Sequence, residues 1–395
     1  MADRNSHRIL INVTPKCDEK LRIGIVGCGD ISCAYLQNAP LFCGLEIVTC
    51  CDLNPEAAQK RARDFDICSA DIDAVMHDPE VDLILNLTVP NAHFDVSLMA
   101  LRAGKHVFTE KPLTVGVDQG KILIVEAEQR GLSIGSAPDT FLGAAGRYAR
   151  SLMDADAIGN PVVGTAFMFG RGMEHVHPNP SFYYQSGGGP ILDMGPYYIT
   201  TLVNLLGSVR RVHALATRGE AARLMTAEGP NQGTRFEVGT DTSILSLLEF
   251  SNGTIVAFGA SWDVHRHSNH PIEIHGTTGS LRLPDPDNFS GVVGHSNHGS
   301  AWTETDTTSH IFGAHNWPVE APNLANYRML GLADLAAALR ESRPPRASGR
   351  LALHVLDVLE AILRAGKTGQ AQDTTTYIER PKALNQNDCL GYCAE

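Results

Sequence analysis

No apolar run in this 395-residue chain approaches the roughly 18–20 residues that a membrane-spanning helix requires, so a membrane is not expected as a partner. Positive charge is scarce as well: 32 Lys and Arg stand against 44 Asp and Glu, a formal net charge of −12. That balance repels polyphosphate, and no local basic stripe offsets it, which argues against nucleic acid as a partner. Cysteine is missing from the long middle of the chain; the nine thiols fall at 17, 28, 33, 43, 50, 51, 68, 389 and 393. There is no Cys-x-x-Cys pair, and Cys389 and Cys393 have no second ligand pair, so no metal site is expected. An odd count without an export signal points to free thiols in a reducing cytoplasm. Residues 1–20 do not read as a secretory signal, because Arg4, Arg8 and Lys16 interrupt them and the one apolar stretch, 9–13, is too short. They read as a leader or an added edge strand.

What is present is an ordinary globular composition, 43% hydrophobic and 19% charged, in a chain long enough for two domains. From residue 21 to about 140, short apolar runs (21–26, 45–51, 83–88, 106–109, 132–135) alternate with amphipathic stretches (31–38, 55–64, 92–103, 115–130). Continuous apolar strands separated by helices predict a parallel sheet covered on both faces. The first strand runs into Gly27-Cys28-Gly29-Asp30-Ile31-Ser32. Gly27 allows a tight turn, Gly29 lets a pyrophosphate approach the backbone, and the helix opening at Asp30 and Ile31 aims free N–H groups at it. Ser32 holds the third glycine position of this dinucleotide motif and is still small enough for close packing. The second strand ends at Asp52, where a carboxylate accepts from a ribose 2′-OH and repels a 2′-phosphate. NAD is thus favoured over NADP; Asp52 also suits the cap of a helix beginning near Pro55.

After a later strand comes His106-Val107-Phe108-Thr109-Glu110-Lys111-Pro112-Leu113. With this Glu-Lys-Pro run, the chain resembles the Gfo/Idh/MocA oxidoreductases, the relatives of glucose–fructose oxidoreductase and inositol dehydrogenase. Thr88-Val89-Pro90-Asn91-Ala92-His93 and Gly187-Gly188-Gly189-Pro190-Ile191-Leu192-Asp193-Met194-Gly195 extend the resemblance, which spans about residues 21–381. It implies an α/β protein: an N-terminal Rossmann domain (21–140), then a C-terminal α/β domain (141–395) with a large, mostly antiparallel sheet that often mediates homo-oligomerisation, here as a dimer or tetramer. It also implies that Thr88, Pro90, His93 and Glu110 join the glycine turn and Asp52 around NAD, and that Lys111 binds the substrate hydroxyl and assists proton transfer. A nearby ammonium stabilises the alkoxide charge that develops as hydride leaves a carbinol carbon. Asp193 matches the family carboxylate near the substrate. Where the family pattern continues Asp-x-Gly-x-His, this chain reads Asp193-Met194-Gly195-Pro196-Tyr197, so tyrosine stands in place of the acid/base histidine. Tyr197 is open to three roles: proton relay, substrate contact or packing.

Arg171-Gly172-Met173-Glu174-His175-Val176-His177-Pro178-Asn179-Pro180 follows an apolar strand (162–169) and reads as a loop. His175 and His177 are expected to contact a polyhydroxylated substrate. Strands are expected at 244–250, 254–262 and 271–274, with Ser251-Asn252-Gly253 as a hairpin turn. His265, His267 and His270 match no zinc spacing. Residues 285–318, rich in Gly, Ser, Asn and His, read as a long loop serving as a lid or an oligomer contact. Residues 330–341 and 351–365 have helical spacing, and His354 on the second reads as a packed core residue. The expected activity is NAD-dependent oxidation of a secondary hydroxyl on a sugar, glycoside or cyclitol. Two other readings are redox-assisted cleavage or elimination with retained NAD, and a non-catalytic dinucleotide sensor.

Overall fold

The computed structural model describes residues 20–394; residues 1–19, with nearly all of the leader or edge strand expected at 1–20, lie outside the described residues. Strands β1 (Leu21–Val26), β2 (Leu45–Cys51), β3 (Cys68–Ser69), β4 (Leu83–Asn86), β5 (His106–Thr109) and β6 (Ile134–Ser136) form one parallel sheet. Its order is β3-β2-β1-β4-β5-β6. Helices α1 (Asp30–Asn38), α2 (Pro55–Phe65), α3 (Ile72–His77), α4 (His93–Arg102) and α5 (Val117–Gln129) connect the strands. Ile23, Ile25, Leu83, Ile84 and Leu85 have no exposed surface, as a sheet covered on both faces requires. The strand order reverses between β1 and β4, and a ligand crevice opens at such a point. The sequence pattern did not reveal β3 and α3, which are too short to display a period. The cap of α2 is Asn54, whose side chain accepts from the Glu56 N–H, and not Asp52.

The second half begins with α6 (Ala144–Asp154), β7 (Pro161–Phe169), α7 (Pro190–Leu206) and β8 (Val209–Thr217). A small hairpin of β9 (Ala222–Leu224) and β10 (Arg235–Glu237) stands apart. Then come β11 (Ser243–Phe250), β12 (Ile255–Ser261), β13 (Ile272–Gly276), β14 (Gly279–Leu283), β15 (Val292–Asn297) and β16 (Thr303–Asp306). The chain closes with α8 (Leu330–Arg340), α9 (Gly349–Thr368), β17 (Gln372–Asp373) and α10 (Gln386–Tyr392). The nine-stranded sheet runs β16-β15-β14-β13-β7-β12-β11-β8-β17, antiparallel throughout except for the β7/β12 pair. Two of its strands correct the reading of 285–318 as a loop. β16 is the edge strand and buries little, while β15 next to it buries Val293 and Ser296 in a sequence of Gly, His, Ser and Asn, so polar composition concealed both. The expected turn at Ser251–Gly253 forms, with the Gly253 N–H donating to the Phe250 carbonyl at 3.0 Å.

Helices α7 and α9 cover one face of this sheet and pack on each other; a Cβ on Gly195 would lie 2.6 Å from Leu359. His354 of α9 is fully buried and accepts from the Val209 N–H at 3.1 Å; burial pushes its pKa down to about 4, so it is a neutral core residue. The two halves share one core, in which Ile25 and Phe108 belong to the same cluster as Phe258, Leu335 and Val358. That continuity holds the crevice of the first sheet at a set distance from α7. Among the described residues no helix is long and apolar enough to cross a membrane.

Candidate active site

The glycine turn is built as the motif requires. Gly27 sits at φ +103°, and a Cβ there would meet the Leu87 carbonyl carbon at 2.6 Å, so no other residue fits. Nothing lies within 4 Å of where a Gly29 Cβ would be, which leaves that side open to a phosphate. Ser32 donates to the Gly29 carbonyl at 2.5 Å, and the Arg61 guanidinium donates to Ser32 at 2.9 Å, bracing the turn. Asp30 is exposed and Ile31 half-buried at the head of α1. Asp52 accepts from the Cys28 N–H at 2.7 Å and the Asn54 N–H at 2.8 Å, which fixes its carboxylate on the rim. Gly27, Gly29, Asp52, Thr88 and Val89 border one cleft of about 780 Å³. A cleft of that size, with a carboxylate on its rim, fits the adenosine half of a dinucleotide.

Pro90 is exposed in the short turn before α4. His93 corrects an expectation, since it has no exposed surface and its ring lies between the Pro112 and Thr88 carbonyls at 2.6 and 2.9 Å. Burial holds its pKa below the ordinary imidazole value. It ties the turn after β4 to the turn after β5 and does not face the cleft.

Those two turns leave neighbouring strands, so Lys111 emerges beside Thr88. Glu110 accepts from the Lys111 N–H at 2.8 Å and from the Tyr35 hydroxyl at 2.9 Å. The Lys111 ammonium donates to the Asp193 carbonyl at 2.7 Å and to its carboxylate at 3.1 Å, and lies 5.3 Å from the centre of the Tyr197 ring. Asp193 and Tyr197 are one turn apart on α7, which puts both on the face turned to Lys111. Burial works against the Lys111 charge, but the combined pull of Tyr197, Asp193 and Glu110 outweighs it and holds the ammonium above its ordinary pKa. Burial also raises the Tyr197 phenol, against the opposing effects of Lys111 and Arg328. Both groups therefore carry their protons at neutral pH.

Comparison with known proteins gives the family. The model for the Oxidoreductase family, NAD-binding Rossmann fold, matches residues 21–136, and the GFO/IDH/MocA C-terminal domain model matches residues 147–282. A dTDP-3,4-didehydro-2,6-dideoxy-alpha-D-glucose 3-reductase from Streptomyces violaceoruber is 30% identical over 283 residues, 70% of this chain and 75% of that protein. The chain belongs to the Gfo/Idh/MocA family of oxidoreductases. Its N-terminal sheet is thus an NAD-binding Rossmann fold. A 1,5-anhydro-D-fructose reductase from Ensifer adhaerens is 24% identical over 90% of this chain and 99% of its own. The fold is similar to levoglucosan dehydrogenase in complex with NADH and L-sorbose, with a TM-score of 0.77 at 20% identity, covering 91% of this chain and 100% of that one.

Within this Gfo/Idh/MocA framework the two loop histidines separate. His175 lies 2.5 Å from the Thr226 hydroxyl and 3.5 Å from the Glu174 carboxylate, facing the β9/β10 hairpin. His177 accepts from the Asn179 N–H at 3.0 Å and meets the rings of Phe182 and Tyr183 edge-on. No group of three metal-ligating side chains occurs among the described residues. Sequence reasoning missed Arg328. Its guanidinium lies 3.5 Å from the Tyr197 hydroxyl, 3.5 Å from Asp287 and 3.2 Å from Asn326, with burial opposed by Tyr197 and Asp287 in setting its charge. Asp139 was missed too; burial pushes its carboxyl up to about 6, and it accepts from the Gly331 N–H at 2.8 Å. Neither carries a local motif, and only the docking of α8 brings them here.

Proposed function

We propose that the chain is an NAD-dependent dehydrogenase acting on a secondary hydroxyl of a sugar, glycoside or cyclitol. The observation that carries this reading is the convergence of Lys111, Asp193 and Tyr197 beside the mouth of the NAD-binding sheet. It is supported by relatives named as reductases or dehydrogenases of 1,5-anhydro-D-fructose, levoglucosan and inositol. NAD, when bound, supplies the hydride acceptor. The chain's own residues manage the oxygen and its proton. Lys111 donates to the substrate oxygen and stabilises alkoxide charge, and Asp193 holds that ammonium in place while leaving a carboxylate oxygen for a neighbouring hydroxyl. Tyr197 exchanges the hydroxyl proton, the role the family pattern gives to histidine. In carbonyl reduction it donates a proton to the oxygen, and in alcohol oxidation its phenolate takes that proton back. Asp52 selects NAD over NADP by accepting from the ribose 2′-OH.

The test is nicotinamide absorbance with the purified protein, NAD or NADP, and a panel of sugars, glycosides and inositols. NADH formation with one polyol, and a weaker response with NADP, is the expected outcome. Substrate consumed by chromatography without net NADH would replace the dehydrogenase with a redox-neutral elimination. Asp52→Asn is expected to narrow the preference for NAD; an unchanged preference would remove Asp52 from cofactor selection.

A further inference from the structure

Next to the Lys111–Asp193 pair the chain displays an apolar wall that a bare polyol does not require. Phe182 is 55% exposed and Val176 is 71% exposed on the same loop. The rings of Phe182 and Tyr183 lie 4.1 Å apart, tilted 31° from parallel. His177 stands edge-on to both at 5.5 Å, and Tyr183 meets Trp262 edge-on at 6.3 Å. Single exposed apolar residues are commonplace, but a contiguous cluster of rings beside a charged cleft is a recognition surface.

Two features tie this wall to the site. The Tyr183 carbonyl accepts from the Gly189 N–H at 2.7 Å, at the start of α7, whose first turn carries Asp193. Burial raises the Tyr183 phenol, and Asp193 and Lys111 are close enough to act on it in opposite senses. The wall is also braced from behind. Tyr184 is fully buried, packs its ring at a tilt against Trp262 at 4.9 Å and Phe236 at 5.2 Å, and donates to Glu174. Arg223 bridges Glu174 at 2.6 Å and also pairs with Asp263. Burying these charges is costly, close pairing offsets that cost, and the paired cluster holds the exposed loop in one shape.

We propose that Phe182, Tyr183 and His177 form a subsite for a flat apolar or aromatic substituent on the sugar, so that the substrate is a glycoside of an aromatic aglycone. The inference rests on the sugar-dehydrogenase reading above. The sugar lies over Lys111 and Asp193, and the aglycone lies outward against Phe182, the more exposed ring.

The test uses the full chain loaded with NADH and compares phenyl β-glucoside with methyl β-glucoside, by saturation-transfer NMR for binding and by turnover with NAD. The phenyl glycoside is expected to bind roughly threefold to tenfold more tightly, as ring stacking of ordinary strength implies. Phe182→Ala should abolish that difference without weakening the methyl glycoside, and Phe182→Trp should restore it. Equal affinities in the unaltered protein, or a preference that survives Phe182→Ala, would overturn the subsite. The two readings fail separately: tight phenyl glycoside binding with no NADH formed from NAD counts against the dehydrogenase and leaves the subsite. Turnover of both glycosides with equal affinity does the reverse.

Discussion

In the proposed reaction, Tyr197 is the residue on which proton transfer turns. A phenol held above its ordinary pKa, beside an ammonium likewise held above its own, still carries its proton at neutral pH, the form that carbonyl reduction needs. Carbonyl reduction should therefore persist through neutral pH and fall only when alkali removes these protons, whereas alcohol oxidation should rise with pH. Tyr197→Phe should lower kcat for reduction by roughly 10²-fold or more, with NADH binding retained. An unchanged rate and pH profile would assign the proton to Lys111 alone. Asp139 makes a separate prediction about stability. Its folded pKa of about 6 lies above the ordinary carboxylate value of 3.8, so the folded state binds the extra proton between those values. Stability from this group is present at low pH and is lost as pH rises through about 6, a change of roughly 2–3 kcal/mol. Asp139→Asn should flatten that part of a denaturation-versus-pH curve, and an identical slope would show that Asp139 titrates alike folded and unfolded.

At the scale of elements, the site depends on how the C-terminal segments are fastened to the rest. Asp334 of α8 is fully buried between Arg346 at 2.5 Å, Arg343 at 2.9 Å and the Tyr392 hydroxyl of α10 at 3.0 Å. The same terminal turn reaches the Rossmann half, where the Cys43 N–H donates to the Tyr392 carbonyl at 2.9 Å. Arg346→Met keeps the bulk of the side chain but leaves much of the Asp334 charge uncompensated. It should cost about 3–5 kcal/mol in urea denaturation, as breaking a buried pair does. A loss below about 1 kcal/mol would mean that Arg343 alone suffices to pair with Asp334.

For the whole molecule, the open face of the nine-stranded sheet is the feature that a monomer leaves unexplained. Leu215 is 75% exposed, Leu245 opposite it 59%, and Leu247 50%, around a depression of about 440 Å³ that Phe167 and Ala257 also line. A contiguous apolar patch of this kind marks an association surface. We expect a homo-oligomer in solution, with Leu215→Glu combined with Leu247→Glu shifting the mass by light scattering to that of a monomer. A monomeric unaltered protein, or an oligomer indifferent to both charges, would rule this face out.

Much of this was legible along the chain because its signals are local. The alternation of buried strands and helices, the turn at Gly27 and Gly29, the acidic strand end at Asp52 and the Glu110-Lys111 pair each lie within a few residues, where turn geometry and burial pattern act directly. The strands β3 and β16 escaped notice because short or edge strands bury too little to impose a period, and β15 because its buried positions include Gly294 and Ser296 as well as Val293. The environment of Tyr197 depended on tertiary structure. Lys111 reaches it from β5, and Arg328 arrives from the start of α8, more than a hundred residues further on. Likewise, exposure of Phe182 and burial of His93 follow from what packs around them, since a side chain's type does not state which neighbours will cover it. Sequence determined which groups are available for chemistry; folding decided which of them meet, because proximity between distant segments is a property of the packed core they share.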